Sequence, residues 1–304
     1  MIKNIIVRVQ ESNLFTSIID PLRSIFRTFS FSFAFKYIFS LLQLSFLKPP
    51  DNKISEKTLF NKKKSDTIFI FGSGQSLNSI SKSEWKKISK HNTVGLNYFV
   101  HQKWIAIDFH IVRELSIGYE KKIFNHVKAL NVIKNFCDLV NNNKFFSKTV
   151  FLIQKDFFAF VGKNIIKFDF LKKRKLFFYK ANREHSSKFE LPDSFSAGLT
   201  RQAGAIGAGI SFAKIINWKK IVLVGVDLYD SKYFWLPSTQ NRSRFTTSPN
   251  QTHPTVKRGI ISIMKLWRAR LQKENIELLV YNKDSLLKTV LPVFDWEKLN
   301  ETEQ

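Results

Sequence analysis

Thr67-Ile68-Phe69-Ile70-Phe71-Gly72-Ser73-Gly74-Gln75-Ser76-Leu77, the stretch TIFIFGSGQSL at residues 67–77, sets the frame for the whole chain. An unbroken apolar run of this length reads as a strand covered on both faces, since a half-exposed strand alternates. Two glycines follow at once, so the chain turns tightly and the backbone can approach a ligand. A helix is predicted near Ser81 to Ser89. Strand, glycine turn and helix together open a βαβ unit.

Working downstream, Val94-Gly95-Leu96-Asn97, Ile105 to Val112 and Val150 to Gln154 read as further strands. A small-residue helix is predicted from Ser196 to Ile216, feeding a strand from Lys220 to Val226. A last helix, about Val256 to Lys273, feeds Ile276 to Tyr281. This alternation predicts an α/β fold: one domain over residues 67–304, with a mainly parallel sheet and helices on both faces. No internal repeat is apparent.

Residues 1–66 differ in composition. The run from Ile25 to Leu47 reads IFRTFSFSFAFKYIFSLLQLSFL, and Thr28, Ser32, Lys36, Ser40 and Gln43 recur at helical spacing. Arg27 and Lys36 would lie at costly depth in a spanning helix. A basic amphipathic helix on an anionic membrane surface, with Arg23, Arg27 and Lys36 at the headgroups, is the easier arrangement. A helix packed on its own domain is the alternative. Pro49-Pro50 ends it, and a polar linker closes on Lys62-Lys63-Lys64.

The 304 residues carry 49 Lys and Arg against 24 Asp and Glu, a net charge of +25. That balance favours phosphate-rich surroundings, namely nucleic acid, an anionic membrane face or acidic glycolipids, unless the lysines merely cover solvated faces. Cys137 is the single cysteine, which excludes an intrachain disulfide and fits a reducing compartment. Its apolar neighbours mark it as a packed core thiol. His91, His101, His110, His126, His185 and His253 are scattered, so no metal-ligand spacing is present.

The Gly72-Ser73-Gly74 turn sits where an open α/β sheet places its phosphate or nucleotide loop. Leu77 occupies the third glycine position of G-x-G-x-x-G and no Walker lysine follows, which argues against a dinucleotide enzyme. Ser196-Ala197-Gly198 would open the small-residue helix and offer a hydroxyl and amides to a ligand. Ala203, Gly204, Ala205, Gly207, Ala208 and Gly209 allow close packing of helix on sheet, while Arg201 could meet a phosphate or lie exposed. Asp227 and Tyr229 fall at the carboxyl end of a buried strand, where such sheets bind ligands.

GSGQSL after a strand, Asn97 after the second strand, SAG, and then VGVDLY resemble the bacterial lipooligosaccharide sialyltransferases in order and spacing. The resemblance runs over about residues 67–287 and extends through Asn282-Lys283-Asp284-Ser285-Leu286-Leu287. It implies a single Rossmann-like domain that transfers a keto sugar such as sialic acid from a CMP-activated donor to a glycan or glycolipid acceptor. Gly72, Gly74, Ser76, Asn97, Ser196, Gly198 and Asp227 would then hold the nucleotide or donor. Tyr229 and Tyr233 would stabilise the departing phosphate, and His253 would serve as general base. No metal is obligatory for departure of CMP, so no cofactor is expected beyond the CMP-sugar.

The chain departs from that pattern in three places. Gln75 stands for the usual proline, Ser194 for an arginine, and the interval from His253 to the next strand is longer. These differences point to a neighbouring donor or acceptor, with a CMP-Kdo transferase of lipopolysaccharide core as the near alternative. Either reading implies a cytoplasmic enzyme peripherally associated with the inner membrane. A pterin diphosphokinase-like enzyme is a further alternative and would need Asp227 with Asp230 for magnesium. A charge-driven binder of nucleic acid or membrane is the third; with no nucleic-acid module present, no nucleic acid is expected as a partner.

Overall fold

A computed structural model describes residues 50–113, 115, 119–120, 123–124, 126–155, 160–182, 189–240 and 248–302. The helix expected within residues 25–47 lies outside them. The seven main strands are β1 (Thr67–Phe71), β2 (Asn92–Leu96), β3 (Phe109–Val112), β6 (Val150–Gln154), β7 (Lys175–Tyr179), β10 (Lys220–Val224) and β11 (Glu277–Val280). They form one sheet in the order β11-β10-β1-β2-β3-β6-β7. Every pair is parallel, with Ile68 beside both Ile221 of β10 and Asn92 of β2. Two short pairs stand apart: β4 (Tyr119–Glu120) with β5 (Ile123–Phe124), and β8 (Ala181–Asn182) with β9 (Leu199–Thr200).

The order explains both covered faces. The chain steps outward from β1 to β7 and then returns to insert β10 on the other side of β1. Outward crossovers carry α2 (Lys82–Ile88), α3 (His126–Asn142) and α4 (Phe160–Lys167). Their Trp85, Ile88, Phe136 and Ile165 pack with Phe69, Phe71 and Phe151. After the reversal, crossovers of the same right hand fall on the opposite face. There α5 (Gly204–Ile216) and α7 (Ile260–Gln272) bring Phe212, Trp267 and Leu271 against Ile68, Ile70 and Leu223. The expected α/β, Rossmann-like architecture is therefore present.

Boundaries differ where side-chain chemistry overrides pattern. The strand expected from Ile105 shortens to Phe109–Val112, because Gln102 takes the Ile105 N–H at 3.2 Å and donates to its carbonyl at 2.8 Å. The helix expected at 256–273 divides into α6 (Pro254–Lys257) and α7, with Gly259 at φ +81° between them. Cys137 lies buried in α3, where burial and Asp138 push its thiol up and keep it protonated. Among the described residues, no helix is long and apolar enough to cross a membrane.

Residues 50–66, expected as a polar linker, pack on the domain. Lys53 bridges to Leu176, and the Ile54 N–H donates to the Leu176 carbonyl at 2.9 Å, so this segment pairs with the β7 edge that would otherwise be open. Asn52 Nδ2 donates to the carbonyls of Leu171 and Arg174 at 3.0 and 2.6 Å. Leu59, on α1 (Glu56–Phe60), is wholly buried in the core. Leu59→Ala is therefore expected to cost about 2–4 kcal/mol in urea unfolding. A loss under about 0.5 kcal/mol would mean that this helix does not belong to the folded unit.

Candidate functional site

The reversal of strand order places a crevice beyond the carboxyl ends of β1 and β10, the usual ligand position of an open α/β sheet. Both chain segments leaving those strands are stitched together. Gly72 N–H donates to the Val224 carbonyl and Gly74 N–H to the Gly225 carbonyl, each at 2.8 Å. Phe234 N–H returns to the Ser73 carbonyl at 3.2 Å, and Tyr233 forms an antiparallel bridge with Gly74. The glycine turn is thus an extra layer of backbone pairing laid over the strand ends.

Asp227 is the centre of this arrangement. It is only 3% exposed, and its carboxylate accepts Ser76 N–H at 2.9 Å, Ser76 Oγ–H at 2.5 Å and Asn282 Nδ2–H at 3.0 Å. A Cβ on Gly74 would fall 2.3 Å from Asp227 Oδ2, so glycine is what admits the carboxylate. Ser285 Oγ donates to the Val226 carbonyl at 2.6 Å, and Leu286 N–H to the Asp227 carbonyl at 3.1 Å. Asp227, expected to touch nucleotide or donor, instead spends both oxygens holding the loop. Ser76 likewise gives its hydroxyl proton to Asp227. By contrast, the N–H group of Ser73 has no hydrogen-bond partner among the described residues. A backbone donor at a strand-end turn suits a phosphate or hydroxyl oxygen.

Tyr233 pairs with the same turn, and Tyr229 and His253 belong to the chain that leaves β10. Burial, then Asp227 and Asp230, raises the Tyr229 phenol, which keeps it an O–H donor at neutral pH; its side chain also bonds Asn282. Tyr233 packs beside Trp235 at 4.9 Å, and Trp235 stacks on His101 at 4.9 Å. His253 N–H donates to the Leu228 carbonyl at 3.0 Å, which ties it between Asp227 and Tyr229. Burial, then Arg258, lowers its pKa below 6.5, so the imidazole is neutral at physiological pH.

Asn97 stands one strand away, at the end of β2, with φ +43°. Two contacts hold that conformation. The Arg113 N–H donates to Asn97 Oδ1 at 3.1 Å, and the ring of His110 bonds the Asn97 carbonyl through Nε2 at 2.9 Å. A carbonyl only accepts, so Nε2 carries the proton. Asn97 Nδ2 is thereby the end left for a ligand. Gly95 makes room for His110, since a Cβ there would lie 2.5 Å from Nδ1.

Ser196 and Gly198 are not brought to the loop. Ser196 is exposed and bonds Ser194 at 2.8 Å. Gly198, at φ +84°, lets the chain press on the Lys180 carbonyl beside β8. The SAG turn therefore precedes β9 and opens no helix. The helix begins at Gly204, where Arg113 Nη1 donates to the Gly204 carbonyl at 2.5 Å. The helix start at Ala203 and Gly204, some eight residues past Ser196, is what sequence reasoning missed. Ala203 has left-handed φ +51°, and no Ser, Thr, Asp or Asn marks the start. The small-residue run was the available signal.

No family model and no curated protein matches the chain. Among solved structures it is similar to the monofunctional alpha-2,3-sialyltransferase Cst-I from Campylobacter jejuni, at 16% identity and a TM-score of 0.43. That match covers 79% of this chain and 82% of the other.

Proposed function

We propose that the protein is a glycosyltransferase that moves a keto sugar from a CMP-activated donor to a glycan or glycolipid acceptor. The observation that carries this reading is the placement, on the chain segments leaving β1 and β10, of a backbone donor without a partner (Ser73), a protonated phenol (Tyr229) and a neutral imidazole whose backbone is tied to Leu228 (His253). Departure of a sugar from phosphate leaves negative charge on the phosphate oxygens, which backbone N–H groups and a tyrosine O–H stabilise. The acceptor hydroxyl must lose a proton, and a neutral imidazole takes it. The motif order at residues 67–287 supports CMP as the nucleotide. The magnesium alternative is disfavoured because Asp227 already accepts three protein hydrogen bonds, while Asp230 accepts the Lys232 N–H at 3.1 Å and has the Lys232 ammonium 3.8 Å away. The net charge of +25 and the basic, aromatic stretch at residues 25–47 support an anionic inner-membrane surface as its cytoplasmic place of work.

Calorimetric titration of the full chain with CMP, using UMP, GMP and AMP as controls, tests the reading. Selective CMP binding is expected; equal affinity for all four would overturn it. CMP-sialic acid and CMP-Kdo are then compared as donors.

His253→Ala is expected to reduce transfer by about 10²–10⁴-fold with little change in CMP affinity. In the unaltered protein, transfer should rise with pH through a value below 6.5 and then level, since the neutral imidazole is the active form. An acidic limb above pH 6.5 in the donor-saturated rate would remove His253 from that role.

A further inference from the structure

We propose that the turn between α4 and β7, residues 167–175, docks the folded domain on an anionic phospholipid surface, with Phe168 entering the interface and Lys172 and Lys173 meeting lipid phosphates. The inference rests on the inner-membrane part of the reading above and gives it a place on the domain. That place is the amino end of β7, at the opposite end of the sheet from the crevice. The stretch KFDFLKKRK at residues 167–175 carries five basic residues against one acid, Asp169. Asp169 and Lys172 stand 3.9 Å apart with both side chains largely exposed, a pairing that offsets little of that charge.

The aromatic part of the turn is held in place. Asp169 has left-handed φ +50°; its N–H donates to the Ile166 carbonyl at 3.1 Å and the Phe170 N–H to the Ile165 carbonyl at 3.2 Å, which closes α4 in a Schellman motif. Asn141 Nδ2 donates to the Phe170 carbonyl at 2.9 Å, and Arg174 is turned inward onto the carbonyls of Val140, Asn141 and Ser147, each at 3.1 Å. Phe170 therefore packs on the core, while Phe168 stacks on Phe170 at 5.4 Å and stays 43% exposed. Lys167 Nζ lies 5.4 Å over the Phe168 ring. An exposed ring set among ammonium groups suits a lipid boundary, where the ring meets acyl chains and the lysines meet anionic headgroups.

The course of the chain supplies a second observation. Asn52 Nδ2 donates to the carbonyls of Leu171, Lys172 and Arg174, so the segment arriving from residues 25–47 enters the domain on this same turn. Leu47 precedes Asn52 by five residues, at most about 18 Å of extended chain. A surface that holds the basic, aromatic stretch at 25–47 is therefore within reach of the turn.

Cys137, the single cysteine, is buried, so Phe168→Cys in the full chain supplies one exposed thiol for an environment-sensitive fluorophore. Vesicles of phosphatidylcholine with phosphatidylglycerol should shift its emission to the blue, and phosphatidylcholine alone should not. The same label at Lys283→Cys, beyond β11 at the crevice end, should stay unchanged. In the unlabelled chain, Lys172→Gln with Lys173→Gln, both at exposed positions, should lower partitioning onto the anionic vesicles about 10-fold or more. A chain that sediments with these vesicles while the label at 168 stays silent would overturn the proposal and leave residues 25–47 as the anchor. A shift produced by single-stranded RNA and not by vesicles would overturn it in favour of nucleic acid. A chain that does not sediment would overturn both the proposal and the inner-membrane location, while CMP titration tests the transferase reading separately.

Discussion

Asp227→Ala is expected to abolish nucleotide binding and to cost about 3–5 kcal/mol of stability, the largest loss of any single change at the site. The carboxylate is almost fully buried and carries three hydrogen bonds, two from Ser76 and one from Asn282. Its removal strands three half-buried donors and opens a void against Gly74, whose missing Cβ leaves room for that oxygen. Asp227→Asn should be nearly as harmful, because an amide cannot accept at both ends and would set its NH2 against the Ser76 donors. Ser76→Ala, losing one bond, should cost about 1–3 kcal/mol. Urea unfolding and CMP titration read the two effects separately. A binding defect in Asp227→Ala without a stability defect would mean that the carboxylate touches ligand instead of holding the loop.

Acid should weaken the fold through His110. Its ring is wholly buried on β3, its Nδ1 has no partner, and burial lowers its pKa to about 3, against the Nε2 bond to Asn97, which raises it. In the unfolded chain the same imidazole titrates at 6.5. Between these values the unfolded state binds a proton that the native state does not, so stability falls as pH falls from 6.5 toward 3. The slope from this group is about 1.4 kcal/mol per pH unit, and above pH 6.5 its contribution is complete. His110→Gln keeps an Nε2–H donor for the Asn97 carbonyl and removes the titration. The pH dependence of unfolding free energy should then lose about one proton between pH 6 and 4. An unchanged slope would show that His110 takes up its proton in the native state.

Some of this was legible in the chain and some was not, for physical reasons. A parallel strand buried on both faces is an unbroken apolar run, so TIFIF, VFLIQ and the strand before VGVDLY stood out. Strand β7 did not. Its KLFFY follows Lys172-Lys173-Arg174, and that charge hides a strand whose outer edge is covered by residues 52–54. The glycine turn and Tyr233 were found and are paired, and Tyr229 and His253 lie on the chain leaving β10. Asp227 was found, but its role was not, because its partner Ser76 lies 151 residues away and no local pattern encodes such a pair. SAG was misplaced for a related reason. A glycine with left-handed φ resembles a helix start in sequence, but its purpose here is to let the Lys180 carbonyl approach.

The insertion of β10 beside β1 also orders events in time. The turn at residues 72–76 leaves the ribosome some 150 residues before the carboxylate that will hold it. Five strands can line up in the sequence in which they are made, β1 through β7, but the one that completes the crevice must come back past all of them. Such long-range closure is slow relative to neighbour-to-neighbour pairing. A nascent chain that has not yet extruded residue 227 therefore carries the glycine turn with neither its clamp nor its backbone partners. Order in the glycine turn arrives late, with the docking of β10 and then of the segment after β11 that carries Asn282.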